Sequence, residues 1–216
     1  MKNILAIGAH PDDIEIGCAA TLLKLKDQGK KVYCLVLSNG GNWIKKTYED
    51  RLEEQDASLF RLQIDKILFG PCKDGKITHS SELIDFITDI MLEYNIDTIL
   101  SHYKEDSHQD HIATSLLAKS ASMNCKNLLY FEALTSTNFK PNYFVVVNKY
   151  EEKKQEILKC FTTQNDKYTA RNQSLVDFVA AKDRLNGIKI RQPYAEGFII
   201  DKLVDEYAID GAVHCK

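Results

Sequence analysis

Apolar and amphipathic stretches alternate along the first 133 residues. Five short stretches are rich in apolar residues, and the first is almost continuously apolar, which predicts strands buried within a sheet. These are residues 3–9, 31–37, 66–69, 96–102 and 128–133. Four stretches between them have the residue pattern of helices. These are residues 15–28, 48–62, 80–94 and 108–122. Strands that alternate with helices predict an α/β fold with a mostly parallel sheet. Gly70 and Pro71 are expected to end the third strand.

The remainder of the chain predicts a smaller C-terminal α/β extension. Two further strands and two further helices are expected there. They are residues 143–147, 150–162, 174–186 and 194–200. The polar stretch 163–173 predicts a loop. No shift in composition marks a boundary, so residues 1–216 are interpreted as a single domain.

Composition and charge narrow the class of protein. The net charge is −3 at pH 7 and no basic run is present, which argues against nucleic acid as a partner. No stretch is long and apolar enough to be an integral membrane segment, and the start of the chain resembles a first strand more than a signal peptide. None of the six cysteines forms a C-x-x-C pair, so we expect reduced thiols and a cytoplasmic location. The sequence leaves open whether the protein is a homo-oligomer.

Two polar, histidine-bearing loops follow the first and the fourth predicted strands. His10, Asp12 and Asp13 come directly after the first strand, and the loop after the fourth strand ends in H-Q-D-H at 108–111. In a sheet with strand order 3-2-1-4-5, the order reverses between these two strands, and ligands bind outside the carboxyl ends at such a point. We therefore expect the two loops to meet in one crevice.

The residue types in these loops suit a zinc site. Histidine nitrogen and carboxylate oxygen are common zinc ligands, and catalytic sites usually combine three protein ligands with one water. His10 and Asp13 are three residues apart, as are His108 and His111, a spacing that can bring two side chains to one face of a helical turn. An ordinary polar helix start would explain either segment alone. His102 fits either a further ligand or a buried polar residue.

Five short motifs occur in a recognisable order. They are A-H-P-D-D at 9–13, R-x-x-E at 51–54, D-G at 74–75, H-x-D-H at 108–111 and Y-A-E-x-F at 194–198. Together they resemble the PIG-L/LmbE family of zinc-dependent N-acetylglucosamine-type deacetylases. The resemblance covers most of the chain, and the pairing of A-H-P-D-D with H-x-D-H is its most specific part. It implies a Rossmann-like three-layer sandwich.

The resemblance also implies roles for individual residues in metal binding and proton transfer. His10, Asp13 and His111 match the zinc ligands of the family. Asp12 matches its general base. The two adjacent acids would therefore divide the work, since one binds the metal and the other moves protons.

Four more residues match positions that act on the substrate in the family. His108 matches the histidine that stabilises the oxyanion and protonates the leaving amine, and Asp110 would orient it. Arg51 and Asp74 fall where the family often contacts substrate.

The chain departs from the family pattern at three positions in the predicted first helix. Ile14 stands where glutamate often follows the Asp pair, and Glu15 comes next. Ala19 and Ala20 stand where glycines are usual. These positions are expected to affect how closely the first helix approaches the sheet. The turn at 39–41 is a candidate for a substrate loop or for an ordinary turn that needs glycine. Trp43 and Tyr48 fit either stacking on a sugar or packing in the core.

The most concrete hypothesis from the sequence is a zinc-dependent hydrolase that removes the acetyl group from a small N-acetylated amino sugar or sugar conjugate. One zinc ion per chain is expected, with another divalent metal such as Fe²⁺ as an alternative. The substrate class includes sugar nucleotides, glycolipids and thiol glycosides. Two other functions stay open: a metal-dependent hydrolase of an ester or phosphoester, and a non-enzymatic Rossmann-like ligand-binding module. Against the second, the first turn lacks G-x-G-x-x-G and its acids would repel a pyrophosphate.

Overall fold

The computed structural model describes residues 1–38 and 48–204. Its seven strands form one sheet with the order β3-β2-β1-β4-β5-β7-β6. The strands are β1 (Asn3–Gly8), β2 (Lys31–Ser38), β3 (Lys66–Cys72), β4 (Thr98–His102), β5 (Asn127–Phe131), β6 (Tyr143–Val146) and β7 (Ala195–Lys202). The first five pair in parallel, and β7 and β6 join antiparallel. The predicted order 3-2-1-4-5 and the smaller C-terminal extension are confirmed. The turn at 39–41 and Trp43 lie outside the described residues.

Seven α-helices in the described part of the chain pack around the sheet. They are α1 (Asp13–Asp27), α2 (Tyr48–Leu62), α3 (Ser81–Glu93), α4 (Gln109–Ala121), α5 (Glu151–Leu158), α6 (Thr162–Thr169) and α7 (Leu175–Lys189). Successive side chains of β1 point to opposite faces, so Leu5 packs in one core with α3 and α4 while Ile4 packs in another with α1, α2 and α5. This arrangement is the predicted three-layer sandwich.

The predicted end of the third strand is wrong. The third strand continues through Gly70 and Pro71 to Cys72, because the pairing of β2 with β3 shifts register between Val36 and Ser38. A bulge of this kind accommodates a proline that has no N–H to donate. Gly70 also lies close to the β2 backbone, where a Cβ would come within 2.7 Å of the Leu37 carbonyl oxygen.

The polar stretch predicted as a loop contains α6, and the helix predicted over 150–162 ends at Leu158. The fully buried Phe161 lies between the two helices, and its ψ of 66° is not helical, so the first helix cannot continue through it. The carboxylate of Glu54 in α2 accepts hydrogen bonds from Thr162 and Thr163 at 2.7–2.8 Å. These long-range bonds stabilise a helix that local sequence does not favour.

Two further expectations concern the state of the cysteines and membrane-spanning helices. The five cysteines among the described residues are unpaired, and three of them, Cys18, Cys34 and Cys125, are buried. Within the same part of the chain, no helix has the length and apolarity needed to cross a membrane.

Candidate active site

The crevice beside the carboxyl ends of β1 and β4 brings the two histidine-bearing loops together. The chain leaves β1 at Gly8 and leaves β4 at His102, and these two strands are neighbours in the sheet. The ring of His10 lies 4.8 Å from that of His108 and 5.5 Å from that of His111, centroid to centroid. Residues far apart in sequence therefore form one polar cluster where the strand order reverses.

Asp13 lies between two histidines of this cluster. Its Oδ2 atom is 3.5 Å from His10 Nδ1, and its Oδ1 atom is 3.4 Å from His111 Nε2. Donor atoms that bind one tetrahedral zinc ion at about 2.0–2.1 Å are separated by roughly 3.3 Å. Each contact has about this spacing, but the two histidines lie against different oxygens of Asp13. His10, Asp13 and His111 are therefore neighbours with the donor chemistry that zinc prefers.

Each of the two histidines has a carboxylate at its other ring nitrogen. His10 Nε2 lies 3.2 Å from Asp110 Oδ2 and 3.2 Å from Asp74 Oδ1. His111 Nδ1 lies 3.3 Å from Asp106 Oδ2. Histidine ligands usually donate their second N–H to such a group, which fixes the ring and makes the ligand nitrogen more basic.

The acids dominate the electrostatics of the crevice. Burial alone would lower the pKa of His10, but hydrogen bonds to Asp110, Asp13 and Asp74 raise it to about 11. Burial likewise opposes the charge of His111, and Asp13 and Asp106 nevertheless raise its pKa to about 9. A site that stabilises positive charge this strongly attracts cations.

Three overlapping sets of side chains in the described part of the chain could hold a metal ion. They are His10 with His108 and His111, Asp13 with His102 and His111, and His10 with Asp74 and Asp110. Within each set, the donor atoms lie within 4.8 Å of one another. Each predicted ligand, His10, Asp13 and His111, belongs to at least one set, but none of these three sets contains all of them.

His102 is fully buried behind Asp13 and His111. Its Nε2 atom is 3.1 Å from Asp13 Oδ2 and 3.1 Å from the amide nitrogen of Ala9. Its ring stacks on His111 with centroids 4.0 Å apart. Burial lowers the pKa of His102 to about 4, so the ring is neutral at pH 7. Both sequence readings of His102 therefore have support, because it is a buried polar residue and also part of a potential metal-binding set.

Asp12 has an environment different from that of its neighbour. Its backbone is left-handed, with φ of 95°, and its N–H donates to Gln55 Oε1 over 3.3 Å. Its side chain makes no capping hydrogen bond to α1, so a role in capping the helix does not explain why an acid stands at position 12. Burial raises the pKa of Asp12 to about 7, helped by the charge of Asp13 and opposed by Arg51. A carboxyl group with this pKa can exchange a proton at neutral pH.

His108 is the residue that precedes α4, and its Nδ1 atom accepts a hydrogen bond of 3.2 Å from the Asp110 N–H. That bond places the ring proton of a neutral His108 on Nε2. Burial and the nearby charges of His111 and His10 lower the pKa of His108. This lowered pKa favours the neutral ring at pH 7, with Nε2–H as a donor, and the role of His108 as the acid for the amine stays a prediction.

The expected contact between the Asp110 carboxylate and His108 is corrected. The carboxylate accepts hydrogen bonds from the N–H groups of Gly75 (2.7 Å) and Ile77 (3.3 Å), and its Oδ2 atom lies 3.2 Å from His10 Nε2. Asp110 contacts His108 through its backbone N–H rather than through its carboxylate. Asp110 therefore connects the D-G loop to the His10 ring, because the first turn of α4 directs its side chain towards that loop.

Arg51 and Asp74, the two predicted substrate contacts, lie at the edge of the same cluster. Arg51 donates to the Pro11 carbonyl over 2.8 Å, and its guanidinium lies 3.9 Å from Asp12 Oδ2. Asp74 is buried and lies against His10. These contacts fix the loop that carries Asp12 and the ring of His10, and they leave the role of both residues in substrate binding as a prediction.

Sequence reasoning missed Asp106 and Thr135, which contact His111 Nδ1 at 3.3 and 3.1 Å. Asp106 also accepts the His108 N–H over 2.8 Å. An acid two residues before H-x-D-H could have been noticed as a partner for one of the histidines. Thr135 follows a different strand and gave no local signal.

The departure at Ile14 and Glu15 also has a structural explanation. Ile14 is fully buried in the core beneath α1, whereas the Glu15 carboxylate points towards α2. Glu15 Oε1 accepts hydrogen bonds from Gln55 Nε2 (2.6 Å) and Ser58 Oγ (2.5 Å). The same Gln55 accepts the Asp12 N–H, so this network connects α2 to the loop that carries Asp12.

The doubly wound sheet and the histidine–carboxylate crevice define a Rossmann-like protein whose switch point could hold a metal ion. A family model described as GlcNAc-PI de-N-acetylase (PIG-L) matches residues 5–122, more than half of the chain. The uncharacterized deacetylase YaiS of Escherichia coli K12 is 30% identical over 155 residues, which are 68% of this chain and 83% of YaiS. The chain belongs to the PIG-L family, and the resemblance found in the sequence is confirmed.

Solved structures show the same fold. The conserved protein TT1542 of Thermus thermophilus has a TM-score of 0.83 and 23% identity, covering 95% of this chain and 97% of that protein. The N,N'-diacetylchitobiose deacetylase of Pyrococcus horikoshii has a TM-score of 0.78 and 23% identity, covering 92% and 83%. The 4-carboxy-2-hydroxymuconate hydratase GalB of Pseudomonas putida KT2440 has a TM-score of 0.82 and 18% identity, covering 96% and 100%. Since these proteins include a hydratase, the fold alone does not define the reaction.

Proposed function

We propose that the protein is a zinc-dependent N-deacetylase that hydrolyses the acetamido group of a small amino sugar or sugar conjugate in the cytoplasm. The observation that carries the proposal is the contrast between two adjacent acids. Asp13 lies against His10 and His111, whose charges hold its pKa well below the usual range despite burial, while Asp12 has a pKa of about 7. One acid is thus suited to bind a metal and the other to accept a proton.

His10, Asp13 and His111 would hold the metal ion. The bound ion would lower the pKa of a water molecule and polarise the acetyl oxygen of the substrate. Asp106 and Asp110 support this step indirectly, since they lie against the outer nitrogens of the two histidines. With pKa values of about 11 and 9, both rings are doubly protonated at pH 7 without metal, so metal binding would release the inner proton of each ring.

Asp12 accepts the proton of the attacking water as the carbon–oxygen bond forms. The same group, now protonated, returns that proton to the amine nitrogen when the carbon–nitrogen bond breaks. Its pKa of about 7 suits both transfers. This assignment differs from the family-based expectation that His108 protonates the amine, because a neutral His108 has no spare proton.

His108 stabilises the developing negative charge on the acetyl oxygen. Its Nε2–H is fixed as a donor because Nδ1 accepts the Asp110 N–H. A preorganised donor costs no reorientation during the reaction and is typically worth about 10²–10³ in kcat. The products are acetate and the free amine.

Similar proteins support the substrate class. YaiS is named a deacetylase, and two structures of this fold are an N,N'-diacetylchitobiose deacetylase and a teicoplanin deacetylase. The teicoplanin enzyme was solved in a zinc-inhibited form, which makes the identity and amount of metal a question to be tested here. The five unpaired cysteines of the described residues support a reducing compartment.

The test begins with protein stripped by a chelator and reloaded with zinc, Fe²⁺ or Co²⁺ in separate samples. Each sample is given N-acetylglucosamine, its nucleotide conjugate, a glycolipid and a thiol glycoside carrying the same sugar, and acetate is measured. We expect metal-dependent acetate release from at least one substrate. Acetate release that is unaffected by complete metal removal contradicts the proposal. Release only from O-acetyl esters, or from phosphoesters as phosphate, favours the other hydrolase hypotheses.

A further inference from the structure

Helix α1 is broken near its middle. Cys18 has φ of −151° and ψ of 16°, which are not helical values. A continuous α-helix would pair the Ala20 N–H with the Ile16 carbonyl and the Thr21 N–H with the Gly17 carbonyl. A break at Cys18 leaves these backbone N–H and carbonyl groups without their helical partners, as happens at the ends of two separate helices.

Side chains of the C-terminal extension supply these partners. Glu196 in β7 accepts the Ala20 N–H at Oε1 over 3.1 Å and the Thr21 N–H at Oε2 over 2.7 Å. Lys182 in α7 donates from Nζ to the Ile16 carbonyl over 3.0 Å. A carboxylate therefore caps the N-terminal end of one helical piece, and an ammonium group caps the C-terminal end of the other. Both charges have the sign that the helix dipoles favour.

The capping carboxylate has its own charge partner. Lys154 Nζ in α5 is fully buried and lies 2.6 Å from Glu196 Oε1 and 2.5 Å from Asp183 Oδ2. Because a buried ion without its partner is strongly unfavourable, this network fixes Glu196 in one position. Three elements of the extension thus converge on the break in α1.

The break directs the first turn of α1 into the active site. Gly17 lies against the ring of Phe131 at the end of β5, where a Cβ would come within 2.3 Å of Cδ2. Ile16 packs with Leu158 and Val179 of the extension. The turn that begins at Asp13 is therefore a separate piece held between the sheet and the extension.

We propose that Glu196 and Lys182 are positioning residues that hold the broken helix so that Asp13 faces the metal-binding histidines. The part of this inference that concerns metal rests on the proposed function. The extension then has a defined task in the reaction, although it supplies none of the proposed ligands. Neither residue is itself a proposed ligand, so their effect on metal binding must pass through the geometry of α1.

The test compares Lys182→Met with Lys24→Met. Both remove a lysine that donates to a backbone carbonyl and packs between α1 and the extension, since Lys24 Nζ donates to the Val146 carbonyl over 2.9 Å. Lys24 lies after the break. We expect Lys182→Met to raise the zinc dissociation constant about 10- to 100-fold, the range typical of outer-shell partners, while Lys24→Met leaves it within the error of the wild type. Lys182→Arg, which can still donate, should restore most of the affinity.

Hydrogen exchange provides a second measurement that needs no metal. In metal-free protein, peptides covering residues 13–21 should exchange faster in Lys182→Met and in Glu196→Gln than in the wild type. If Glu196→Gln does not fold, Lys182→Met alone decides the outcome. Unchanged exchange in the folded variants, or equal loss of zinc affinity in Lys182→Met and Lys24→Met, overturns the positioning role. Absence of zinc binding to the wild type overturns the proposed function instead, and the exchange comparison still tests the positioning role.

Discussion

The Asp110 carboxylate lies 3.2 Å from His10 Nε2, although the two residues are a hundred positions apart in the chain. The contact joins the two halves of the predicted metal site through an outer nitrogen rather than through the metal. We predict that Asp110→Asn weakens metal binding about 10- to 100-fold, because His10 loses one of the two acids that lie against its Nε2 atom. Isothermal titration or competition with a chelating dye measures this change.

His108→Gln is the comparison for Asp110→Asn, because it alters the neighbouring helix start and leaves the Asp110 carboxylate in place beside His10 Nε2. We expect it to lower kcat about 10²- to 10³-fold through loss of the oxyanion donor, with metal content near that of the wild type. The reverse pattern, in which His108→Gln loses metal and Asp110→Asn retains it, would contradict both assignments.

Asp12→Asn keeps the size of the side chain and removes the group that accepts a proton. We predict a fall in kcat of about 10²- to 10⁴-fold, the range for a lost general base. Bound metal, measured by elemental analysis of the same sample, should stay at the wild-type level because Asp13 is unchanged. Full activity in a folded, metal-loaded Asp12→Asn protein excludes the proposed mechanism.

Asp106→Asn should weaken metal binding more than Thr135→Val does. Both side chains contact His111 Nδ1, but only Asp106 carries a charge that stabilises the ring N–H. Parallel chelator competitions on the two variants measure the difference. Equal affinities would show that the orientation of His111 depends on packing rather than on its acid.

Gly17→Ala tests the close approach between α1 and β5. The added Cβ would come within 2.3 Å of the Phe131 ring, so one of the two elements must move. We expect a loss of about 1–3 kcal/mol in the free energy of unfolding, as for other overpacked cores. Urea denaturation provides the measurement. Phe131→Leu made in the Gly17→Ala background should recover part of the loss, after correction for Phe131→Leu alone.

Because Glu151 is buried, we predict that the free energy of unfolding depends on pH. Burial, helped by the charge of Asp183 and opposed by Lys154, raises the pKa of Glu151 from 4.5 to about 7. Between these values the folded state binds more protons than the unfolded state. The free energy of unfolding therefore falls as pH rises through this window, by up to about 3 kcal/mol for this group. Denaturation of Glu151→Gln at pH 5 and pH 8 should show a shallower fall, and an unchanged slope would rule out Glu151 as the source.

The order of the first five strands and the meeting of the two loops could be inferred from the sequence, because both follow from local pattern and the rules of parallel sheets. The buried residues of β1 alternate between two cores, and strands of this kind give a strong signal. The His10 and His111 positions followed from spacing and from the resemblance to a family. These features depend on residues near one another in the chain.

The missing features depend on contacts across the chain. Helix α6 is stabilised by Glu54, more than a hundred residues away, and its own polar composition suggested a loop. The orientation of Asp110 depends on the backbone of the D-G loop. The break at Cys18 has a weak local marker in Gly17, but an isolated glycine is tolerated inside a helix and the apolar spacing around it suits a continuous one. Such features can be inferred only once the distant residues that contact one another in the fold are known.

The hydrogen bonds between Glu196 and the amides of α1 span 175 and 176 residues, and they have a consequence for the order of events during synthesis. All proposed metal ligands have left the ribosome once residue 111 has emerged, yet the strand that carries Glu196 is added much later and inserts between β5 and β6. A nascent chain can therefore form the first five strands and hold every reactive side chain before its first helix is complete. Catalytic competence should appear late and abruptly, when the last strand of the sheet docks.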